Sequence, residues 1–268
     1  MEPLIQTEID RHYTELYDES ARLSGDALSQ IELIRTQEII ERYLPATPAD
    51  ILDIGGGPGV YSGWLSEMGH RPTLIDPVAL HVEQALQAGV PNAMAGVAGQ
   101  LDFDDHNFDM ALMLGPLYHL QERADRLAAL EEAHRVLRPG GRIVAAGITR
   151  YASAIDGFES GFIDHEEFER LVHVDLETGK HSNDTGDPRF FTTAYFHRPD
   201  ELVEELETSG FTDVEILAVE GVSWAARDLD ERIADPAKLE AALGLVRRLE
   251  SAPSLLGASP HFIAIGQA

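Results

Sequence analysis

The stretch Asp53-Ile54-Gly55-Gly56-Gly57-Pro58-Gly59 ends a short, mainly apolar segment that begins at residue 49. An apolar run that ends in glycines is typical of a buried parallel strand turning into a helix. Glycines at such a turn adopt positive φ angles and present bare backbone against which a ligand can lie. The stretch therefore predicts an α/β fold with a ligand at the carboxyl end of its first strand.

Strand and helix patterns alternate on both sides of this stretch. Strands are predicted at 49–56, 70–77, 93–98, 108–115, 142–148, 211–219 and 261–268. Helices are predicted at 8–23, 28–44, 60–69, 78–88, 121–137, 199–209 and about 225–250, with RPGG at 138–141 as a turn. This alternation predicts a Rossmann-like, doubly wound and mostly parallel sheet with helices on both faces.

Composition limits the possible classes of protein. The chain has 268 residues, no cysteine and a net charge of −27, with Lys180 and Lys238 as its only lysines. Disulfides, thiolate metal sites and a cysteine nucleophile are excluded. A surface this negative disfavours nucleic acid and anionic membrane as partners; adaptation to salt, or a bias for arginine over lysine, explains it better than a cationic substrate does. The start of the chain lacks a signal-peptide pattern and no apolar run approaches about 18 residues, so a cytoplasmic protein is expected.

Two nucleotide-binding motifs fail at the glycine stretch. A dinucleotide motif, G-x-G-x-x-G, would need its third glycine at Val60 or at Ser62. A P-loop would need Gly-Lys-Ser/Thr, which is absent from the stretch. The pattern that remains is D-x-G-x-G-x-G.

This pattern resembles the glycine motif of the class I S-adenosylmethionine-dependent methyltransferases, and the resemblance extends over residues 30–148 and 199–268. It implies a seven-stranded methyltransferase fold that binds S-adenosylmethionine and releases S-adenosylhomocysteine. Gly55, Gly57 and Gly59 would lie under the methionine part of the cofactor. Asp53 would bind the methionine amino group directly or through water.

Two further features support the resemblance. Asp76 ends the second predicted strand, where an acid accepts hydrogen bonds from the two ribose hydroxyls of an adenosine ligand. The segment RVLRPGGR (135–142) matches a feature that the family carries between its fourth and fifth strands. Leu114, with Gly115 and Leu117, would border the methyl end of the cofactor.

The adenine and carboxylate contacts are less clear from the sequence. Val97 stands where the family usually has an acid that binds the adenine amino group, so the Ala98 or Gly99 backbone is expected to contact the base, with Asp102 as a substitute acid. Arg35 resembles an arginine that pairs with the cofactor carboxylate in the ubiquinone-type O-methyltransferases. A guanidinium fork suits a carboxylate, but a solvated helix face is an equal alternative.

Methyl transfer needs a base only if the acceptor arrives protonated. His119, which follows the fourth strand, is the first candidate base because histidine titrates near neutrality. His197 and Tyr195 are second candidates; for all three, ordinary packing is the alternative. Tyr13 and Tyr17, one helical turn apart, could close over the cofactor. No metal site is predicted, because the histidines form neither H-E-x-x-H nor a facial triad.

The chain divides into three parts. Residues 1–45 are predicted to be helices that close over the cofactor, and residues 46–149 with 199–268 form the cofactor-binding core. Residues 150–198 interrupt the alternation with an aromatic-rich segment and a loop-like centre, and are interpreted as a cap over the site, with a passive surface insertion as the alternative.

Three functions fit these features. The first is a methyltransferase acting on an O, N, S or C centre of a small molecule. The second is a catalytically silent regulator or scaffold that retains the cofactor. The third, an NAD-linked oxidoreductase, is disfavoured by the missing third glycine. The identity of the acceptor and the oligomeric state cannot be inferred from the residues.

Overall fold

A computed structural model describes residues 22, 23 and 25–268. A seven-stranded sheet forms the centre of the fold. Its strands are β1 (Asp50–Ile54), β2 (Arg71–Asp76), β3 (Ala93–Ala95), β4 (Phe108–Met113), β5 (Leu137–Ile148), β8 (Thr212–Ala218) and β9 (His261–Gln267). The predicted helix 8–23, with Tyr13 and Tyr17, lies outside the described residues except at 22 and 23. Within the described ranges, no helix combines the length and apolarity needed to cross a bilayer.

The strand order is β3-β2-β1-β4-β5-β9-β8. The strands from β3 to β5 are mutually parallel, and β9 runs antiparallel to both of its neighbours, β5 and β8. Buried apolar side chains form one core cluster on each face of the sheet. The Rossmann-like, doubly wound sheet expected from the sequence is therefore confirmed, with one antiparallel strand near its edge.

Helices cover both faces. They are α1 (Ala27–Tyr43), α2 (Val60–Glu67), α3 (Ala79–Gln87), α4 (Arg123–Val136), α5 (Ala152–Glu159), α6 (Glu166–Thr178), α7 (Pro199–Thr208), α8 (Leu229–Ile233) and α9 (Pro236–Leu249). The predicted RPGG turn is part of β5, because Leu137 already pairs with Phe108 and an irregularity then shifts the register. Gly140 absorbs this irregularity with a φ of 83°.

The insertion at 150–198 is more regular than its sequence indicates. It contains α5, α6 and a small antiparallel pair, β6 (Lys180–His181) with β7 (Ala194–Tyr195). Phe162, Phe168 and Phe190 pack in an apolar cluster of its own. The predicted loop is ordered because polar side chains replace the missing ladder: Nδ1 of buried His181 bonds Asp175 at 2.8 Å and its Nε2 contacts the Phe190 carbonyl oxygen at 2.7 Å.

A buried ion pair joins α4 to α7. Arg126 and Glu205 are 1% and 2% exposed, and the Arg126 guanidinium donates to both Glu205 oxygens at 2.7–3.1 Å. Arg126 also donates to the backbone oxygens of Leu120 and Gln121, so most of its fork is satisfied. Burial would raise the pKa of Glu205, but hydrogen bonds from His197 and Arg126 lower it to about 2. The carboxylate is therefore charged at neutral pH.

Candidate cofactor and acceptor site

A cavity of about 610 Å³ opens at the carboxyl edge of the parallel strands. This edge is the usual ligand position in a doubly wound sheet, and the volume lies within the range of ligand pockets. Described residues that line it include Glu32, Thr36, Asp53, Gly55, Gly57, Asp76, Val97, Ala98, Gly99, Leu114, His119, Ala146 and His261. Among the described residues, the cavity lining includes none from the insertion 150–198, and the role of that insertion as a cap stays a prediction.

The glycine loop begins its turn with two backbone bonds. The amides of Gly55 and Gly56 both donate to the Ile75 carbonyl oxygen, which ties the loop to the end of β2. Gly55 and Gly57 have φ angles of 68° and 56°, in the region that side chains with a Cβ rarely adopt. Both glycines line the cavity, as expected from the sequence.

Gly59 has a different role from the one its motif implies. It is the N-cap residue of α2 with a φ of 88°, and it is absent from the cavity lining. A Cβ there would lie 2.9 Å from Val90 Cγ2 and 3.1 Å from Ala85 Cβ. Gly59 therefore allows α2 to pack closely behind the loop instead of contacting the ligand directly.

Asp76 is held firmly at the end of β2. It is 5% exposed; its Oδ2 accepts from the Gly57 amide at 2.9 Å and its Oδ1 from the Val78 amide at 2.9 Å. His81 Nδ1 lies 3.1 Å from the same Oδ1. A carboxylate offers about four acceptor positions. The chain itself uses three of them, which leaves room for one ligand hydroxyl where the sequence pattern predicts two.

Asp53 is a nearly unexposed carboxyl at the floor of the cavity. Its Oδ2 accepts from Ser62 Oγ at 2.7 Å, whereas Oδ1 has no hydrogen bond to a described residue. Burial raises the pKa of Asp53 to about 6, against the Ser62 hydrogen bond and with help from the nearby Asp76 carboxylate. A ligand ammonium group would supply the missing counter-charge, so the site fits the amino group of a methionine moiety.

The loop after β3 forms the next part of the wall. Val97, Ala98, Gly99 and Gln100 all line the cavity, and a bridge between Val97 and Gln100 closes the loop into a tight turn. The Val97 side chain is 44% exposed. Asp102, the suggested substitute acid, is exposed and does not line the cavity, so that suggestion is wrong.

The segment after β4 contributes Leu114, Gly115 and His119 to the lining. His119 lies at the end of a 3₁₀ turn, Pro116–His119, and its Nδ1 is 3.5 Å from the Thr193 carbonyl oxygen. A proton on Nδ1 would leave Nε2 as the accepting nitrogen of the neutral ring. Leu117, expected beside the methyl group, is instead fully buried in the core.

Three predicted site residues lie elsewhere. Arg35 is 0% exposed and pairs with Glu38 and Glu250, so it binds neither the cavity nor solvent. Tyr195 stacks its ring 3.6 Å from the Arg126 guanidinium.

His197 is also fully buried, with Nε2 3.3 Å from Glu205, and burial lowers its pKa. The proposed catalytic roles of His197 and Tyr195, and the carboxylate-binding role of Arg35, are corrected: these side chains belong to buried polar networks in the interior.

One polar group was missed from the sequence. His261, Glu32 and Arg22 line the cavity on the side of β9, and buried Glu220 lies behind His261. His261 Nδ1 is 2.6 Å from Glu220 Oε1 and 3.9 Å from Glu32 Oε2. Side-chain oxygen or nitrogen atoms of Glu32, Glu220 and His261 lie within 4.8 Å of one another. The antiparallel pairing of β8 with β9 brings Glu220, two residues after β8, beside His261 at the start of β9.

The close approach at Gly55 gives a testable prediction. A Cβ at Gly55 would lie 2.5 Å from Pro116 Cγ, in addition to the positive φ. Gly55→Ala is therefore expected to lower the free energy of unfolding by about 2–3 kcal/mol, from left-handed backbone and overpacking together. Denaturant unfolding checks this value. The control Gly63→Ala, in α2 with no heavy atom within 4 Å of the new Cβ, should be neutral or gain about 0.5–1 kcal/mol. Equal effects at both positions would contradict the steric argument.

Comparison with known proteins agrees with this geometry. Residues 52–145, from β1 into β5, match the family model described as a methyltransferase domain. An uncharacterized methyltransferase of Mycobacterium tuberculosis is 34% identical over 115 residues, which is 42% of this chain and 45% of that protein. The chain thus spans less than half the length of this relative.

Two further similarities extend over more of the chain. A protein named as an S-adenosyl-L-methionine-dependent Diels-Alderase, from Talaromyces variabilis, is 27% identical over 245 residues, or 87% of this chain and 73% of that protein. The structure of a 1,6-didemethyltoxoflavin-N1-methyltransferase from Burkholderia thailandensis superimposes with a TM-score of 0.55 at 17% identity, over 98% of this chain and 87% of that one. At this identity the superposition shows the fold alone.

The fold and the family match together indicate a Rossmann-like domain of the methyltransferase type. Over residues 52–145 the chain matches the methyltransferase domain, and its fold is that of the S-adenosylmethionine-dependent methyltransferases, whose cofactor is S-adenosylmethionine.

Proposed function

We propose that the chain transfers the methyl group of S-adenosylmethionine to an O, N, S or C centre of a small organic molecule. The observation that carries the proposal is the shape of the cavity: its lining continues from the glycine loop past Leu114 to Ala146 and His261. A cofactor on the glycine loop would therefore leave an adjoining space for a second molecule. Cavities of this size take small molecules, and the −27 charge disfavours nucleic acid.

The cofactor would be held by groups at the ends of three strands and on one helix. Asp53 would bind the methionine amino group, and Gly55 with Gly57 would lie under the methionine chain. Asp76 would accept from a ribose hydroxyl. Adenine would lie against the turn at Val97, Ala98 and Gly99, with Asp125 and Ala128 of α4 on the cavity wall nearby.

The chemistry is a direct displacement. The acceptor atom attacks the methyl carbon, and the carbon–sulfur bond breaks with its electrons remaining on sulfur, which gives S-adenosylhomocysteine. Catalysis would come mainly from alignment of the nucleophile and exclusion of water, because the sulfonium already activates the carbon. Apolar side chains at Leu114, Ala146 and Ile263 would provide the dry wall.

His119 is proposed as the base for acceptors that arrive protonated. His119→Ala is expected to lower turnover by about 100-fold, the lower end of the range for proton transfer, because the sulfonium already activates the methyl carbon. S-adenosylhomocysteine affinity should stay within about twofold of the wild type, since none of the proposed cofactor contacts involves His119.

The control for His119 is His173→Ala, an exposed histidine of α6 whose side chain is 72% exposed. It should leave turnover unchanged. Turnover is measured as release of S-adenosylhomocysteine in the presence of an accepted substrate. If His119→Ala turned over at the wild-type rate, His119 would have no catalytic role.

The proposed function itself is tested with methyl-labelled S-adenosylmethionine and an extract of small metabolites. Transfer of label to an organic product, together with micromolar binding of S-adenosylhomocysteine, is expected. Cofactor binding without any labelled product across a broad set of acceptors would contradict methyl transfer.

A second candidate uses the cofactor without transferring its methyl group. It is favoured by the match to the Diels-Alderase, which covers 87% of this chain, much more than the match to the mycobacterial methyltransferase. A catalytically silent regulator, the alternative from the sequence, belongs to the same class of outcomes. In both cases the label would remain in S-adenosylmethionine, and a cyclase would additionally consume an unsaturated substrate. A cytoplasmic location remains a prediction.

A further inference from the structure

The sheet topology separates two ends of the cavity. Asp76 lies on β2 and His261 on β9, four strand positions apart, or about 19 Å at the usual strand spacing. His261 pairs with Ile148, the last residue of β5, so it lies at the same edge of the sheet as the glycine loop. The cofactor positions occupy β1 to β4, and the end at β5 and β9 remains for the acceptor.

Glu220 fixes the ring of His261. Its Oε1 accepts from His261 Nδ1 at 2.6 Å, and its Oε2 accepts from the His261 amide at 3.0 Å and from Ser259 Oγ at 3.1 Å. Glu220 is 1% exposed, so it cannot exchange these partners for water. The proton on Nδ1 is thereby assigned to the contact with Glu220. In the described part of the chain, Nε2 has no hydrogen-bond partner, although the ring lines the cavity.

The charges at this end are already paired. Arg22 Nη1 donates to both oxygens of Glu32, at 2.9 and 2.7 Å, and Glu220 is paired with His261. Burial alone would lower the pKa of the His261 imidazole, but the carboxylates of Glu220 and Glu32 raise it to about 9, against the positive charge of Arg22. At neutral pH the ring is an imidazolium, and its Nε2–H is a donor on a wall that also carries the apolar side chains of Leu23, Ala146, Val219 and Ile263.

We propose that His261, oriented by Glu220, donates its Nε2–H to an anionic oxygen of the methyl acceptor, so that the acceptor is an organic acid such as a carboxylate or a phenolate. A protonated amine would meet an imidazolium and a guanidinium, each already holding its own carboxylate. The inference rests on the proposed methyl transfer.

His261 is two strand positions from β4, or about 10 Å. Since Leu114 and His119 follow β4, the methylated atom and the anionic oxygen would be separated by roughly that length. His261 is therefore a specificity-determining residue that anchors the far end of the acceptor, and its hydrogen bond does not weaken the nucleophile.

The test uses probes of one size and different charge. The full chain, saturated with S-adenosylhomocysteine, is titrated with 4-nitrophenolate, neutral 4-nitroaniline and 4-nitrobenzylammonium. The phenolate is expected to bind about tenfold or more tighter than the neutral probe, the effect of one charge-assisted hydrogen bond. In His261→Gln the preference should fall to about twofold, while S-adenosylhomocysteine affinity is unchanged.

The wild type gives a second measurement that needs no variant. Above the pKa of the probe itself, phenolate binding should fall as the pH rises through about 9, because the imidazolium then loses its proton. NMR of the His261 ring in the free protein should show the same titration, shifted downward in Glu220→Gln. EDTA should have no effect on the preference.

Several outcomes would overturn this inference. They are equal binding of the neutral and anionic probes, a preference that survives His261→Gln, tightest binding of the ammonium probe, or a preference abolished by EDTA, which would assign Glu32, Glu220 and His261 to a cation. Failure of S-adenosylhomocysteine to bind the wild type would instead refute the proposed function, so the two failures are distinguishable.

Discussion

Asp76→Ala is expected to weaken S-adenosylhomocysteine binding by about 10²–10³-fold. Two losses add up. A hydrogen bond from a ribose hydroxyl to a carboxylate contributes about 1.5–3 kcal/mol. The same carboxylate also holds the Gly57 amide, so its removal frees the loop under the methionine and costs about 1 kcal/mol more.

Isothermal titration of the variant and the wild type measures the Asp76 effect. Asp102→Ala is the matched control, because Asp102 is an exposed acid on the neighbouring loop that does not line the cavity. It should change the affinity by less than about twofold. A dissociation constant for Asp76→Ala within threefold of the wild type would mean that the nucleoside binds elsewhere.

Arg126→Ala is expected to lower the free energy of unfolding by about 3–5 kcal/mol, the usual cost of removing one partner from a buried ion pair. The variant leaves Glu205 charged and 2% exposed, beside a histidine that burial keeps neutral. It also removes the cation that stacks on Tyr195. Tyr195, near the end of the insertion, packs on Arg126 of α4. The insertion is therefore expected to unfold locally before the rest of the chain.

Denaturant unfolding, with Arg170→Ala as control, measures the cost. Arg170 pairs with Asp184 at the surface, where the side chains are 55% and 66% exposed, and its loss should cost less than about 1 kcal/mol. The double variant Arg126→Met with Glu205→Met should recover much of the lost stability, because it leaves no unpaired charge. Similar costs for Arg126 and Arg170 would show that the buried pair adds nothing to the fold.

Local sequence patterns predicted most of the fold. Apolar runs and glycine stops located β1, β2, β4, α1 and α2 to within two or three residues, because local periodicity and turn chemistry determine them. The insertion was less predictable. Its centre lacks periodicity, and its order depends on buried side-chain bonds, such as that between His181 and Asp175, which no local pattern reveals.

The predicted site residues also divide into those that local patterns located and those that they did not. Asp53, Gly55, Gly57 and Asp76 all line the cavity because strand ends meet at one edge of a parallel sheet, and their contacts with the cofactor stay predictions. Arg35 was misplaced because its helical face turns toward Glu250, 215 positions later in the chain.

His197 and Tyr195 were misinterpreted for a related reason: an aromatic run beside the core looks the same whether it faces a ligand or Arg126. Glu32 lies on α1, Arg22 precedes that helix and Glu220 follows β8, so only the fold brings these groups beside His261.

The bond between the Asp76 carboxylate and the Gly57 amide makes sugar selection and loop shape inseparable. A redesign that gave this protein a different nucleoside by altering residue 76 would also release the main chain at Gly57, three strand positions from His261. Substitutions at 76 and in the loop should therefore be energetically coupled, not additive. A change of nucleoside preference would therefore require residue 76 and the glycine loop to be redesigned together.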